Sequence, residues 1–123
     1  MTQITHEEAK MNLKVSSKKV VELILKGNID IEDIVALKGI ITSFIEKENF
    51  FFILDFSHVE HLNISGIEYL TERKERAQNL GGDIKIINCN DYVKNLFVYA
   101  GYAGEFEFFD CEEEAIKSFE KYL

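Results

Sequence analysis

The 123-residue sequence contains no proline, no tryptophan and only 2 cysteines. No linker, internal repeat or low-complexity stretch accompanies the missing proline, so nothing divides the chain. Cys89 and Cys111 fit no CxxC or other metal-ligand spacing. Two thiols also fall short of the density of small disulfide-stapled domains, which favours a reducing, cytoplasmic setting. The longest apolar run, Phe50 to Leu54, is far too short to cross a bilayer. The stretch from Met1 to Glu8 has neither a basic start nor an apolar centre. Neither a signal peptide nor membrane insertion is therefore expected. Positive charge is scarce as well: 14 Lys+Arg stand against 22 Asp+Glu, a formal net charge of −8. No basic stripe occurs, the longest cationic pairing being Lys18-Lys19. Such a field repels phosphate backbones and argues against a nucleic-acid partner.

What is present is ordinary for a globular domain: 46% hydrophobic and 29% charged residues. The length suits one domain. Residues 1–10 are polar and expected to fray, leaving a domain over 11–123. Met11 to Val15 and Val21 to Leu25 alternate as strands, with Ser16 to Lys19 as a hairpin connection and Gly27-Asn28 as a breaker. Asp30 caps a helix over Ile31 to Glu46, with Asp33 in its first turn. Ile34, Leu37, Ile41, Phe44 and Ile45 form its apolar stripe. Gly39 within it suggests close packing against a sheet.

Phe50 to Leu54 reads as a central strand covered on both faces. Ser57 to Ile64 reads as a loop, and a helix follows to Leu80, closed by Gly81-Gly82. Asp83 to Asn88 is a strand, Asp91 to Tyr99 a helix, and Glu105 to Phe109 a short strand. The last helix starts with Asp110 as N-cap and Glu113 as its capping-box partner. Ala115, Ile116, Phe119 and Leu123 give it an apolar stripe. The order β-β-α-β-α-β-α-β-α predicts an α/β domain: a mixed, largely parallel sheet with helices packed against it.

Several segments resemble one known family in order and spacing. Gly27-Asn28-Ile29-Asp30 is similar to the Gly-x-Leu-Asp that ends the second strand of STAS domains, the family of bacterial anti-sigma factor antagonists. Phe52-Ile53-Leu54-Asp55-Phe56-Ser57-His58-Val59 resembles that family's apolar strand followed by Asp-Leu-Ser-x-Val. Leu62-Asn63-Ile64-Ser65-Gly66-Ile67-Glu68-Tyr69-Leu70 resembles its signature, usually Asp-Ser-Ser-Gly-Leu-x-x-Leu. Gly81-Gly82, Gly101, Phe106 and Glu114-Ala115 follow where the family places the same residue types. The resemblance covers about Met11 to Phe119.

It implies a STAS-like fold and a non-enzymatic partner switch without cofactors. In the family, the unphosphorylated domain binds an anti-sigma factor that is also a serine kinase, and phosphorylation of the signature's first hydroxyl breaks that binding. Here the position is Ile64, which has no hydroxyl, and Asn63 replaces the preceding acid. The resemblance implies a docking surface that includes Asp30, Asn63, Ile64, Ser65, Gly66, Tyr69 and Arg73. Tyrosine and arginine one turn apart are residue types enriched at interface hot spots.

A helix start favours an anion through its free N–H groups and dipole. A phosphoryl group of about −1.5 to −2 charge is tolerated there, yet must be desolvated inside an interface. Ser65 is the alternative acceptor, but Ser65-Gly66-Ile67-Glu68 matches a capping box, and helix capping is its expected role. Asn63 is expected as a turn or cap residue. His58 and His61 flank the turn without a carboxylate or thiol at a motif-like spacing, so no metal is assigned. Asp55 resembles the acceptor of receiver domains, whose acid pair is missing here, and is expected to be a structural turn residue. Cys111 opens the last helix among acids that oppose thiolate formation, and is expected to be inert.

Three readings follow: an anti-sigma-type binding module, a STAS partner of a transporter ATPase of the lipid-trafficking ABC type, or a nucleotide or small-ligand sensor. No nucleophile–base pair, phosphate loop or metal cluster points to catalysis.

Overall fold

The computed structural model describes residues 3–5, 10–15 and 19–123. Its strands are β1 Gln3–Thr5, β2 Met11–Val15, β3 Val20–Ile29, β4 Phe51–Leu62, β5 Asp83–Ile87 and β6 Phe108–Phe109. Its helices are α1 Ile31–Glu46, α2 Ile64–Asn79, α3 Asp91–Tyr99 and α4 Glu112–Phe119, followed by a 3₁₀ turn at Glu120–Tyr122. The strands form one 6-stranded sheet in sequence order, β1-β2-β3-β4-β5-β6. β1, β2 and β3 pair antiparallel, and every pairing from β3 to β6 is parallel.

The expected mixed α/β architecture is present. The antiparallel pairing of β2 with β3 bears out the hairpin, although its turn at 16–18 lies outside the described residues. An additional strand comes from the polar segment expected to fray: Gln3–Thr5 pairs with Asn12 to Lys14.

Alternation along β4 explains the unbroken apolar run. Phe52, Leu54 and Phe56 join the main core under α1, α2 and α3. Ile53 points the other way, into a smaller cluster with Val20, Ile87, Ala115 and Phe119 of α4. A strand covered on both faces has no polar face to offer. The same division holds on β5, where Ile84 and Ile86 belong to the main core and Ile87 to the smaller cluster. Ile34, Leu37, Ile41 and Ile45 are buried on α1, while Phe44 packs half-buried against the core.

Several local expectations are corrected. Gly27-Asn28 does not end β3, and Ser57 to Leu62 is strand and not loop. The two strands continue together through register shifts between Ile24 and Lys26 and between Gly27 and Asn28. Gly27 has φ 85°, a conformation glycine adopts without a Cβ clash. Asp55 is accordingly a strand residue whose carboxylate accepts the Ser57 N–H at 2.9 Å beside the first shift.

Gly39 is exposed, and a Cβ added there would meet nothing within 4 Å. The close approach occurs instead at Gly82, where a Cβ would collide with the Phe50 carbonyl oxygen. Cys111, not Asp110, occupies the N-cap of α4, and it makes no side-chain cap hydrogen bond. Leu123 is 50% exposed beyond the end of α4, so it adds nothing to the helix stripe.

Candidate functional site

β3 and β4 end side by side, with Ile29 opposite Leu62 in register. The chain leaves both strands at once, and the Asn63 N–H donates to the Ile29 carbonyl at 2.9 Å. Two helices therefore start next to each other at one end of the sheet. Asp30 is the N-cap of α1 and accepts the Asp33 N–H at 3.0 Å, while Asp33 accepts the Asp30 N–H at 3.0 Å. Lys10 clamps this turn, with Nζ 3.0 Å from Asp33 Oδ2 and 2.9 Å from the Asn28 carbonyl.

α2 is capped by Asn63, whose Oδ1 accepts the Ser65 N–H at 2.9 Å. The expected Ser65 cap is thus corrected. Pairing of β4 with β3 persists to Leu62, so Asn63 is the first residue free to turn, and Ser65 already lies inside the helix. Gly66, and not an acid, then occupies the third helical position and closes off a capping box. Gly66 is buried, and a Cβ on it would stand 2.7 Å from Ile34 Cγ1 of α1. The glycine brings the α2 start hard against α1.

Around these starts, Ile64 is 43% exposed and Ser65 is exposed. An aliphatic side chain thus stands in water where the α2 amides begin. Asp30, Ile64 and Ser65 are exposed at the two adjacent helix starts, Asn63 is half-buried between them, and Gly66 is buried beneath. Tyr69 and Arg73 lie one and two turns along α2, on its seam with α1. The Lys38 ammonium sits 4.5 Å over the Tyr69 ring and 3.3 Å from Glu72 Oε2. Arg73 is half-buried and donates from Nη1 to Thr42 Oγ1 at 2.9 Å, so its guanidinium leans on α1.

Two pairs near this end of the sheet were not legible in the sequence. His61 Nδ1 is 2.7 Å from the Tyr92 hydroxyl, and Asn90 Nδ2 donates to the Val59 carbonyl at 3.3 Å. Both tie α3 to the end of β4. Their partners are 31 residues apart, and no local spacing announces such a pair. Among the described residues, no group of 3 or more His, Cys, Asp or Glu could hold a metal ion, and no helix is long and apolar enough to cross a membrane.

The fold is shared with solved structures. The anti-sigma factor antagonist SpoIIAA in its unphosphorylated form superposes with TM-score 0.78 at 20% identity, over 90% of this chain and 96% of that one. An anti-sigma factor antagonist from Mycobacterium paratuberculosis gives 0.76 at 16% identity, over 95% and 99%. A sulfate transporter family protein from Wolinella succinogenes gives 0.72 at 22%, over 89% and 91%. Curated protein sequences yield no match. The family model described as STAS domain matches residues 12–115. With that match over most of its length and the shared fold, this chain belongs to the STAS domain family.

Proposed function

We propose that this chain is a cytoplasmic protein-binding module of the partner-switching kind, that it is not an enzyme, and that its partner is an anti-sigma factor or a serine kinase of that type. Asp30, Asn63, Ile64, Ser65 and Gly66 form the centre of the docking surface, and Tyr69 with Arg73 extends it along α2. The observation that carries this reading is the exposed aliphatic Ile64 on a capped helix start beside a second one. Such a point suits an apolar anchor within a polar surround. Because Ile64 cannot accept phosphate, binding persists where a kinase would release a serine-bearing relative.

Titrating the purified domain with anti-sigma factors is the test. A complex that Ile64→Asp weakens at least about ten-fold supports the reading, since a charge would have to be desolvated in the interface. Binding to none of the factors sinks it. Ile64→Ser should also become a substrate of the cognate kinase and then dissociate once phosphorylated.

A second reading, a subunit of a transporter assembly, is favoured by the missing hydroxyl at Ile64 and by the similarity to a sulfate transporter family protein. Co-purification with a transporter ATPase, and with no sigma regulator, would select it.

A further inference from the structure

Lys85 stands on β5 between Ile84 and Ile86 of the main core, so its side chain leaves the opposite face of the sheet, under α4. Only 5% of the residue is exposed. Its ammonium donates to Ser118 Oγ of α4 at 2.7 Å and lies 4.4 Å from the Phe119 ring and 5.5 Å from that of Phe109. Ser118 is itself fixed, donating to the Ala115 carbonyl at 2.6 Å. Rings and a hydroxyl hold an ammonium in place but bring no counter-charge. The carboxylate paired with it, Glu107 Oε1, is 3.5 Å away on a side chain that is 61% exposed. Lys74, the other buried lysine among the described residues, has Asp83 Oδ1 at 2.8 Å on a largely buried side chain. A buried charge is costly unless it is closely paired, and Lys85 is the less well compensated of the two.

Lys85 also lines a concavity of about 340 Å³ beside the end of α4. Lys117 of α4 and Lys121 of the following 3₁₀ turn line it too, one helical turn apart and so on one side of the helix. Ser118, Tyr122 and Glu107 complete the wall. Among the described residues, neither Lys117 nor Lys121 forms an ion pair with a carboxylate. Three ammonium groups therefore face one carboxylate, on a chain whose 14 Lys+Arg are outnumbered by 22 Asp+Glu. Like charges gathered in one concavity repel, and a bound anion relieves that repulsion.

We propose that this concavity binds a phosphomonoester, with its phosphoryl group held by Lys85, Lys117 and Lys121. Charge matching selects the ligand. Glu107 offsets one of the three ammonium groups, and the two that remain match a phosphoryl group of about −1.5 to −2 better than a single carboxylate. An ammonium has three donors, and with Ser118 and Glu107 taking two, Lys85 keeps one for the ligand. The Tyr122 hydroxyl is a further donor in the wall. The site lies on the sheet face opposite the α2 core contacts and does not rest on the docking surface proposed there.

Titration of the full chain with glycerol 3-phosphate and with inorganic phosphate, followed by amide NMR at fixed ionic strength, tests the site. One saturable site is expected, with the largest shifts at Lys85 and along Lys117 to Tyr122. Lys117→Gln combined with Lys121→Gln, both at exposed positions, should weaken binding at least about ten-fold. Lys85→Met should do the same, and Lys26→Gln, toward the other end of β3, should leave binding unchanged. Phosphatidic acid in phosphatidylcholine vesicles presents the same group. Vesicle binding that free glycerol 3-phosphate displaces supports a soluble ligand, and vesicle binding without it supports a lipid headgroup. No saturable site with any of the three probes would overturn the proposal. Equal affinity for acetate, or an affinity that the double lysine variant leaves unchanged, would overturn it too.

Discussion

The Cβ that alanine would place at Gly66 stands 2.7 Å from Ile34 Cγ1, a side chain with 0% exposure. Ile34 has nowhere to retreat, so Gly66→Ala should destabilise the fold by about 1–3 kcal/mol in urea unfolding. Gly82→Ala should cost more, because it meets a backbone oxygen that accepts the Asp83 N–H at 3.0 Å. The cap offers a cleaner contrast. Asn63→Ala should lose about 0.5–2 kcal/mol, the usual value of an N-cap. Ser65→Ala should stay within about 0.5 kcal/mol, as for an exposed position without a cap bond. A larger loss at Ser65 than at Asn63 would reverse the assignment of the cap. Cys89 is pushed up to about 12 by burial, with Lys94 lowering and Asp91 raising it, so the expected outcome of thiol labelling near neutral pH is negligible modification there. Local chemistry made the cap region legible in the sequence, since Asn and Ser both cap helices. Which of them does so was not legible, because β-pairing decides where the strand stops.

At the scale of elements, α2 is fastened to β5 by an ion pair between Lys74 Nζ and Asp83 Oδ1 at 2.8 Å. Lys74 is 5% exposed, and its ammonium also lies 5.7 Å from the Phe106 ring. Asp83→Ala leaves that charge buried and should cost about 3–5 kcal/mol in chemical denaturation. The double change with Lys74→Met should recover much of the loss, because it removes the orphaned charge. The middle of α2 reads as a charged, solvated face, yet its lysine, Lys74, is buried. Helical periodicity locates a stripe, but a long side chain crosses its edge to reach a partner. The apolar face of α1 was legible from spacing alone. The full length of β4 was not, since Ser57, His58, Glu60 and His61 look like loop residues until a parallel partner satisfies their backbone.

For the molecule as a whole, two carboxyl groups pull the pH profile in opposite directions. Burial raises Asp33, but the Asp30 backbone and the Lys10 ammonium outweigh it and hold the group below its ordinary 3.8. That stability is present above the ordinary value and is lost as pH falls through the folded one. Glu22 acts the other way: chiefly through burial it is lifted from 4.5 to about 7, and its contribution fades between those values. Urea midpoints should therefore be highest in weakly acid solution and fall on either side. Glu22→Gln should remove the fall toward neutrality while leaving the acid limb. With a formal charge of −8, association with a cationic partner surface should be fast at low salt. Stopped-flow on-rates should drop as salt shortens the Debye length below about 10 Å, while the off-rate changes little.

From Met11 onward the order of strands and helices, and the apolar stripe of α1, were determined by the sequence itself, through periodicities of 3.6 and 2 that need no knowledge of neighbours. The turn at Asn63 to Gly66 was located by its resemblance to the STAS signature, since the pattern alone read Ser57 to Ile64 as loop. The tertiary structure alone decided what each turn residue does. Gly66 is close-packed because α1 lies against it, Gly39 is not, and Ile53 is buried on the far face of the sheet because α4 returns there. These outcomes depend on which distant segment arrives. A one-dimensional pattern records the spacing of residues along an element, not the partner that covers it.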